Sequence, residues 1–546
     1  MHSPKLLRNS IFKFKNALYT YKRWNSNIKY ITAPIFYVNS IPHIGHLYTA
    51  IMADTLKRWH HLDGYKVMYS VGTDEHGLKV QQAAELNKKP PLEFCDSISS
   101  EFKKLFEVAN VEYTDYIRTT EPRHKISVHF IWKKLMENGF IYKGYHEGYY
   151  CVSDECFVPE SQVIPDELDS KILRSKESGK IVEWTREENY KFKIGLFKER
   201  LLDWLETNPE VIVPSRYHHE TIKHIQMMEV ADLSISRPTS RVGWGIPVPN
   251  DPSHVIYVWL DALTNYLTVT GYPWTNESPL KQGWPAATHV VGKDIIKFHA
   301  IYWPAFLMAA ELPLPKQIIS HGHWLIQNQK MSKSSGNGVS PYELLDQYGV
   351  DAIRYFLMRD GGIGIDPEFS LDTVWRRYKH DLAGQLGNVV MRSSSRKINP
   401  SGVIPDAPLT ESFTEDETVL LSRCDTLSGT VRKFINEGRL SDALAAITET
   451  IGLLNRYWSI VEPWRISNQP SRLHTIMYIT FEVIRICSIL YQPVMPTISK
   501  QILDQLCVPE NERTLKDARL NGCTASNRIV VIGEPLFPKR DPPKSL

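Results

Sequence analysis

The chain of 546 residues is long enough for several domains with ample cores. Its 64 Lys and Arg nearly balance 61 Asp and Glu, so no overall basic excess argues for nucleic acid, and any such surface must be local. Seven scattered cysteines, an odd number, disfavour a disulfide framework; no run reaches the ~20 apolar residues of a membrane span, so no membrane partner is expected.

The first segment differs in kind from the rest. No Asp or Glu precedes Asp54, while Lys5, Arg8, Lys13, Lys15, Lys22 and Arg23 recur among Leu6, Leu7, Ile11, Phe12, Phe14 and Leu18. Such a basic, amphipathic, acid-free stretch reads as a mitochondrial transit peptide over residues 1–26; a basic arm on a cytosolic protein is the alternative. The terminal Lys544-Ser545-Leu546 is not in the peroxisomal order.

The apolar run from Tyr30 to Val38 predicts a strand, and Ile44, Leu47, Tyr48, Ile51 and Met52 at helical spacing predict a helix starting near His43. Strand, turn and helix start make an anion site, because unpaired backbone N–H groups face the ligand there. His43 and His46 share a face of the first turn, and Gly45 lets another group approach the backbone. Such a pair suits phosphate, a metal or a simple cap. A second unit follows, with a strand over Tyr65–Val71, the loop Gly72-Thr73-Asp74-Glu75-His76-Gly77 and a helix over Leu78–Leu86. Two such units imply a parallel sheet with ligands at its carboxyl edge. Asp74 is either the counter-charge to an ammonium group or a helix cap. Helical periodicity dominates Pro91 to Phe140.

From Gly144 to Leu196 aromatic, glycine and polar residues alternate, as in an exposed insertion. Cys151 and Cys156 are its only cysteines, where structural zinc wants about four ligands. Strands return over Val255–Leu260, with Trp259 near the end and Ala262 and Tyr266 beyond, over Thr288–Val291 before Gly292-Lys293-Asp294-Ile295, and over Ile318–Ser320. Core packing is the alternative role for Trp259 and Tyr266. Lys330-Met331-Ser332-Lys333-Ser334, two lysines among small residues, forms a cationic loop that closes over a polyphosphate, or else a solvated turn. Beyond Asp372 long helices are predicted over Trp375–Met391, Glu417–Asn436, Ser441–Val461 and Leu473–Tyr491.

His43-Ile44-Gly45-His46 and Lys330-Met331-Ser332-Lys333-Ser334 resemble, in order and a domain apart, the HIGH and KMSKS signatures of class I aminoacyl-tRNA synthetases. The phrases Ala33–Asn39, Gly72–Gly77, Tyr257–Ala262 and Gly292–Ile295 sharpen this to a resemblance to methionyl-tRNA synthetases, over nearly all the chain after the first segment. The resemblance implies an α/β fold: a Rossmann-like, doubly wound parallel sheet with an inserted connective domain and a C-terminal α-helical anticodon-binding domain. The expected divisions are 27–143 and 226–318 for the two Rossmann halves, 144–225 for the insertion, 319–374 for the KMSKS and stem-contact region, and 375–546 for the helical domain.

The same resemblance implies a methionine pocket of Ile35, Tyr37, Asp74, Trp259, Ala262, Tyr266, Ile295 and His299. Aromatic walls suit a thioether, and Tyr37 or His299 would donate to its sulfur. Leu263, where many members carry proline, departs from the pattern. ATP would be held by His43, Gly45, His46, Gly292, Asp294, Lys330, Lys333 and Arg237, with His43, His46, Lys330 and Lys333 catalytic and Mg2+ arriving on the nucleotide. Asn388, Arg392 and Trp464 would read the anticodon. Expected partners are L-methionine, ATP and mitochondrial tRNA(Met), in the mitochondrial matrix. No protein-bound zinc is expected with two cysteines in the insertion, no editing insertion is visible, and a monomer is expected because no appended dimerisation module follows the helical domain.

Overall fold

Along each central strand successive side chains leave to opposite faces, and that alternation divides the apolar residues between two cores. Ile31, Val290 and Ile319 join one core; their neighbours Tyr30, Val291 and Ile318 join the other. The computed structural model describes residues 28–543 apart from 152–155, 159, 167–168, 177, 229–231, 275–281, 327–328, 331–338, 409–412, 467 and 524–527. The sheet has six parallel strands: β1 (Ile28–Tyr37), β2 (Lys66–Asp74), β3 (Asp115–Arg118), β4 (Ile212–Val213), β5 (Thr288–Gly292) and β6 (Ile318–His321). Their spatial order is β3-β2-β1-β5-β6-β4. Chain direction through the sheet reverses between β1 and β5, so a crevice opens at their carboxyl ends, the general position for ligands in such sheets.

The doubly wound parallel sheet expected from the sequence is present, with three local differences. Asp115–Arg118 and Ile212–Val213 are strands inside stretches read as helical and as insertion; four and two residues are too short for any period to show. Ile212–Val213 pairs with Ile318 and Ile319, so the span 144–225 gives an edge strand to the central sheet. Trp259 is not on a strand. The strand Asp251–Ile256 ends before it, and helix α2 (Val258–Thr268) begins. A short apolar run reads alike as strand or buried helix, and α2 is buried nearly all round.

The insertion is an antiparallel ribbon of Ile141–Cys151 against Ile181–Phe192, in which Cys151 lies opposite Cys156 of a short third strand. After β6 comes helix α3 (Val350–Asp360), then a π-helical segment, Arg377–Gly387, running straight into the α-helical Asn388–Ser394. Helices α4 (Glu415–Asn436), α5 (Leu440–Val461) and α6 (Pro470–Tyr491) complete the helical domain. By length and composition α6 is apolar enough to cross a membrane, yet it lies buried among its neighbours and carries a buried Arg485–Glu482 pair at 2.8 Å.

Helix α1 (Ile44–Leu62) and the helical domain share one core, and a buried ion pair fixes them together. Arg354 of α3 is fully buried, and its guanidinium reaches Asp54 of α1 at 2.5 Å. The remaining N–H groups go to the carbonyls of Ala109, Asn110, Pro493 and Val494, so all five donors are used. Asp54 also accepts from Arg58 and from the Glu112 amide. Burial pushes the Asp54 carboxyl up, but the two arginines more than reverse this and leave it below its ordinary value. Its stabilising contribution is therefore present above the unfolded pKa, about 3.9, and is lost as pH falls through the lower folded value. Arg354→Met strands a buried carboxylate beside Arg58 and is expected to cost roughly 3–5 kcal/mol in urea unfolding at neutral pH. An unchanged midpoint would show that the pair is dispensable.

Candidate active site

The turn after β1 leads into α1 with His43 as its N-cap. The first amides of a helix lack intrahelical acceptors, and here the two histidines supply them. His43 Nδ1 accepts the Gly45 N–H at 3.1 Å, and His46 Nδ1 accepts the His43 N–H at 3.2 Å. A ring nitrogen that accepts carries no hydrogen, so each neutral imidazole holds its hydrogen on Nε2. The rings stack at 3.8 Å between centroids, with Phe36 and Phe102 against His46 at 4.9 and 5.1 Å. Gly45 is required for this cap: a Cβ there would lie 2.9 Å from His43 Cε1 and lift the ring away. Thr49, one turn on, bonds His321 Nε2 at 2.9 Å and ties α1 to the end of β6.

Pro34 lacks an N–H for the β1 ladder, and the pairing with β2 shifts register between Thr32 and Ile35. Beyond that break Phe36 and Val38 enter the core, while Ile35 and Tyr37 are half-buried on the crevice side. Tyr37 lies in register with Asp74, the last residue of β2, which is itself buried. Glu75 turns the opposite way. It is fully buried and takes two bonds from Arg118 at 2.7 and 3.0 Å, one from Thr73 at 2.7 Å and one from Thr120 at 2.5 Å. That anchor fixes the backbone between Asp74 and His76, the residues on either side of Glu75. His76 Nδ1 then meets Asp261 of α2 at 2.7 Å, and Asp261 meets His124 Nε2 at 2.7 Å.

The aromatic wall rises from α2 and the segment after β5. Trp259 lies flat on Phe298, centroids 3.6 Å apart at 5°, with the His299 ring set edge-on to it at a centroid distance of 6.4 Å. His299 Nδ1–H donates to the Ile295 carbonyl at 2.9 Å, which leaves Nε2 to accept the Tyr266 O–H at 2.7 Å. Burial lowers His299 to about 4, so the ring is neutral and both nitrogens are used. His299, one of the two donors expected there, therefore has no hydrogen left for a thioether sulfur. Ala262 is buried, Leu263 packs wholly into the core behind α2, and Ile35, Tyr37, Trp259 and Ile295 rim the same apolar cluster. His289, bonded to Thr32 at 2.6 Å and 4.3 Å from the Tyr266 ring, extends the wall inward.

On the other side of the crevice Gly292 ends β5, and a Cβ there would lie 2.8 Å from Asp294 Oδ1. Asp294 is exposed, with His323 Nε2 at 3.7 Å. Lys293 and the His323 amide both bind Asp366, at 2.5 and 2.9 Å, so the loops after β5 and β6 are held together. Arg237 has a different setting from a cation aimed at phosphate. It is buried on the short strand Ser236–Pro238, donates to the Ser236 carbonyl at 2.7 Å, and faces the Tyr257 ring at 4.7 Å. Lys330 lies on Gln329–Lys330, paired with Leu325–Ile326; Lys333 lies outside the described residues, as does the segment 1–26. In the helical domain Arg392 lies over the rings of Trp464 and Trp458 at 4.8 and 5.2 Å, and Asn388 is half-buried one turn before it. Phe298, His289, His76, His124 and Asp261 escape a sequence reading, because only folding joins partners such as His76 and Asp261, 185 residues apart.

Residues 29–394 match the family model described as tRNA synthetases class I (M). The chain is 43% identical over 517 residues to a probable mitochondrial methionine–tRNA ligase of Dictyostelium discoideum, covering 92% of this chain and 90% of the relative. It is 42% identical over 508 residues to the mitochondrial methionine–tRNA ligase of Homo sapiens, covering 89% and 85%. Its fold superposes on that of the Mycobacterium tuberculosis methionyl-tRNA synthetase in complex with methionyl-adenylate with a TM-score of 0.88 at 37% identity, covering 94% of this chain and all of that one.

The pocket wall itself supplies a test. Tyr266→Phe removes the hydroxyl that donates to His299 Nε2 and leaves that buried acceptor short of its partner, a loss of about 1–3 kcal/mol in denaturant unfolding. A variant as stable as the parent would mean that the Tyr266–His299 bond does not hold the wall.

Proposed function

The chain belongs to the methionine branch of the class I tRNA synthetases, and from that premise we propose how it joins L-methionine to tRNA(Met) at the expense of ATP. The carrying observation is one crevice at the reversal of the sheet, with an anion-binding helix start on one side and an aromatic pocket ending in Asp74 on the other. Methionine enters with its thioether between Trp259 and Tyr266, over Ala262 and against Ile35, Ile295 and His299, and with its ammonium group on Asp74. Tyr37 caps the sulfur side. ATP lies across the start of α1, adenine near Gly45 and ribose near Gly292 and Asp294.

The methionine carboxylate attacks the α-phosphate in line, its C–O–P bond forming as the bond to pyrophosphate breaks. His43 and His46 donate Nε2–H to phosphate oxygens as charge builds, and Lys330 and Lys333 close on the leaving pyrophosphate. Positioning and preorganised donors supply the acceleration, for no protein group forms a covalent bond. Mg2+ comes with the nucleotide. The terminal adenosine hydroxyl of the tRNA then takes the methionyl group and releases AMP. Asn388, Arg392 and Trp464 read the anticodon, with the Arg392–Trp464 stack as a platform for an unpaired base. Relatives that are mitochondrial methionine–tRNA ligases support a mitochondrial location; we assign the protein to the matrix, brought there by residues 1–26, and as a monomer whose insertion works without zinc.

Methionine-dependent exchange of pyrophosphate into ATP is the direct measurement, and strong exchange with leucine or cysteine but not methionine would overturn the assignment. Lys333→Ala is expected to slow that exchange far more than it weakens methionine binding; equal losses in both would remove Lys333 from the transition state. Trp464→Ala is expected to weaken aminoacylation of tRNA(Met) by roughly 1–3 kcal/mol, the size of one lost base stack, with exchange intact. Impaired exchange in that variant would contradict the division of labour between the domains.

A further inference from the structure

Asp261 sits in the first turn of α2, 1% exposed, and no step given above uses it. A buried carboxylate is costly unless donors meet its oxygens. Here each oxygen takes one imidazole: Oδ2 meets His76 Nδ1 and Oδ1 meets His124 Nε2, both at 2.7 Å. Burial pushes the carboxyl up, but the two histidines more than offset this and hold it at about 2. An ionised carboxylate only accepts, so both imidazoles donate to it.

Three elements therefore meet on one side chain. His124 comes from the helix Pro122–Glu137, is fully buried, and is pinned from behind by Thr268 of α2 at 3.1 Å. His76 comes from the loop after β2, two residues beyond Asp74 and separated from it only by the anchored Glu75. Asp261 itself lies between Trp259 and Tyr266 in sequence and next to Ala262, so α2 brings the aromatic wall to the same point. An apolar trio would hold three elements together at least as well as a buried charge. What a carboxylate adds is direction, because it fixes the rotation and tautomer of His76 and with them the loop.

We propose that Asp261 is a positioning residue for methionine recognition: through His76 it sets Asp74 against the wall of Trp259 and Tyr266. The inference deepens the methionine reading and rests on it. A charged contact misplaced by about 1 Å loses much of its worth, so the loss should follow the ammonium group of the ligand.

Equilibrium binding of three ligands to the full-length protein reads this out: methionine, methioninol, which keeps the ammonium group, and 4-(methylthio)butanoate, which lacks it. Asp261→Asn and His76→Ala are expected to weaken methionine and methioninol by about tenfold or more and the butanoate by less than about twofold. His76→Asn, whose amide can donate from near the Nδ1 position, is expected to restore most of the loss. Equal weakening of all three ligands, no weakening, or no rescue by His76→Asn would overturn the proposal. If the unaltered protein binds neither methionine nor methioninol, the methionine reading falls first and takes this one with it.

Discussion

The structure depends on a single guanidinium. Arg354 spends its five N–H groups on Asp54, on the end of the helix before β3, and on the turn between α6 and the next helix. Each of those groups would be an unpaired polar atom in an apolar interior without it, and an unpaired buried charge is among the costliest faults a fold can carry. Apolar replacement of a whole buried ionic set is often neutral in energy, but removal of one member is not. Asp54 stands on the same helix as His43, Gly45 and His46, so the cap at the start of that helix is braced from below by a contact to the helical domain.

Above that brace the site is assembled from strand ends, and each element is turned by a local chemical necessity. Pro34 cannot donate to its neighbour, so β1 breaks register and directs Ile35 and Tyr37 to the crevice. Glu75 must be satisfied in the core and is, by Arg118 and two threonines, which turns Asp74 the other way. Gly45 has no side chain, so the His43 ring can fold back over its own helix. Polar demands that a core cannot leave unmet thus orient the polar groups that a ligand would need.

Much of this is legible in the chain. His43 does cap a helix that starts at Ile44, Leu78–Leu86 is the helix expected, and the long helical patterns after Asp372 appear within a few residues of their predicted limits. Asn388 and Arg392 share a face, as their spacing requires, and Trp464 lies against Arg392. What resisted reading was short or distant. Strands of two and four residues carry no period, and the run around Trp259 is apolar enough for either a strand or a helix. His124 and Asp261 are ordinary residues in sequence; their roles come from partners brought up by folding. Lys333 could be named from its motif, but its placement is outside the described residues.

The π-helical segment Arg377–Gly387 has an evolutionary consequence. It joins the stem of the helical domain to Asn388 without a loop, so each residue in it sets the angle of everything that follows. Loss or gain of one residue there would turn Asn388 and Arg392 about the helix axis, away from Trp464. The ribbon of the insertion carries no such burden, since its turns absorb length changes at the surface. Indels among descendants of this chain should therefore accumulate in surface turns such as residues 169–172 and be purged between 377 and 392. A frame kept by length rather than by residue identity would look unconserved in a column-by-column comparison while being among the most constrained stretches of the molecule.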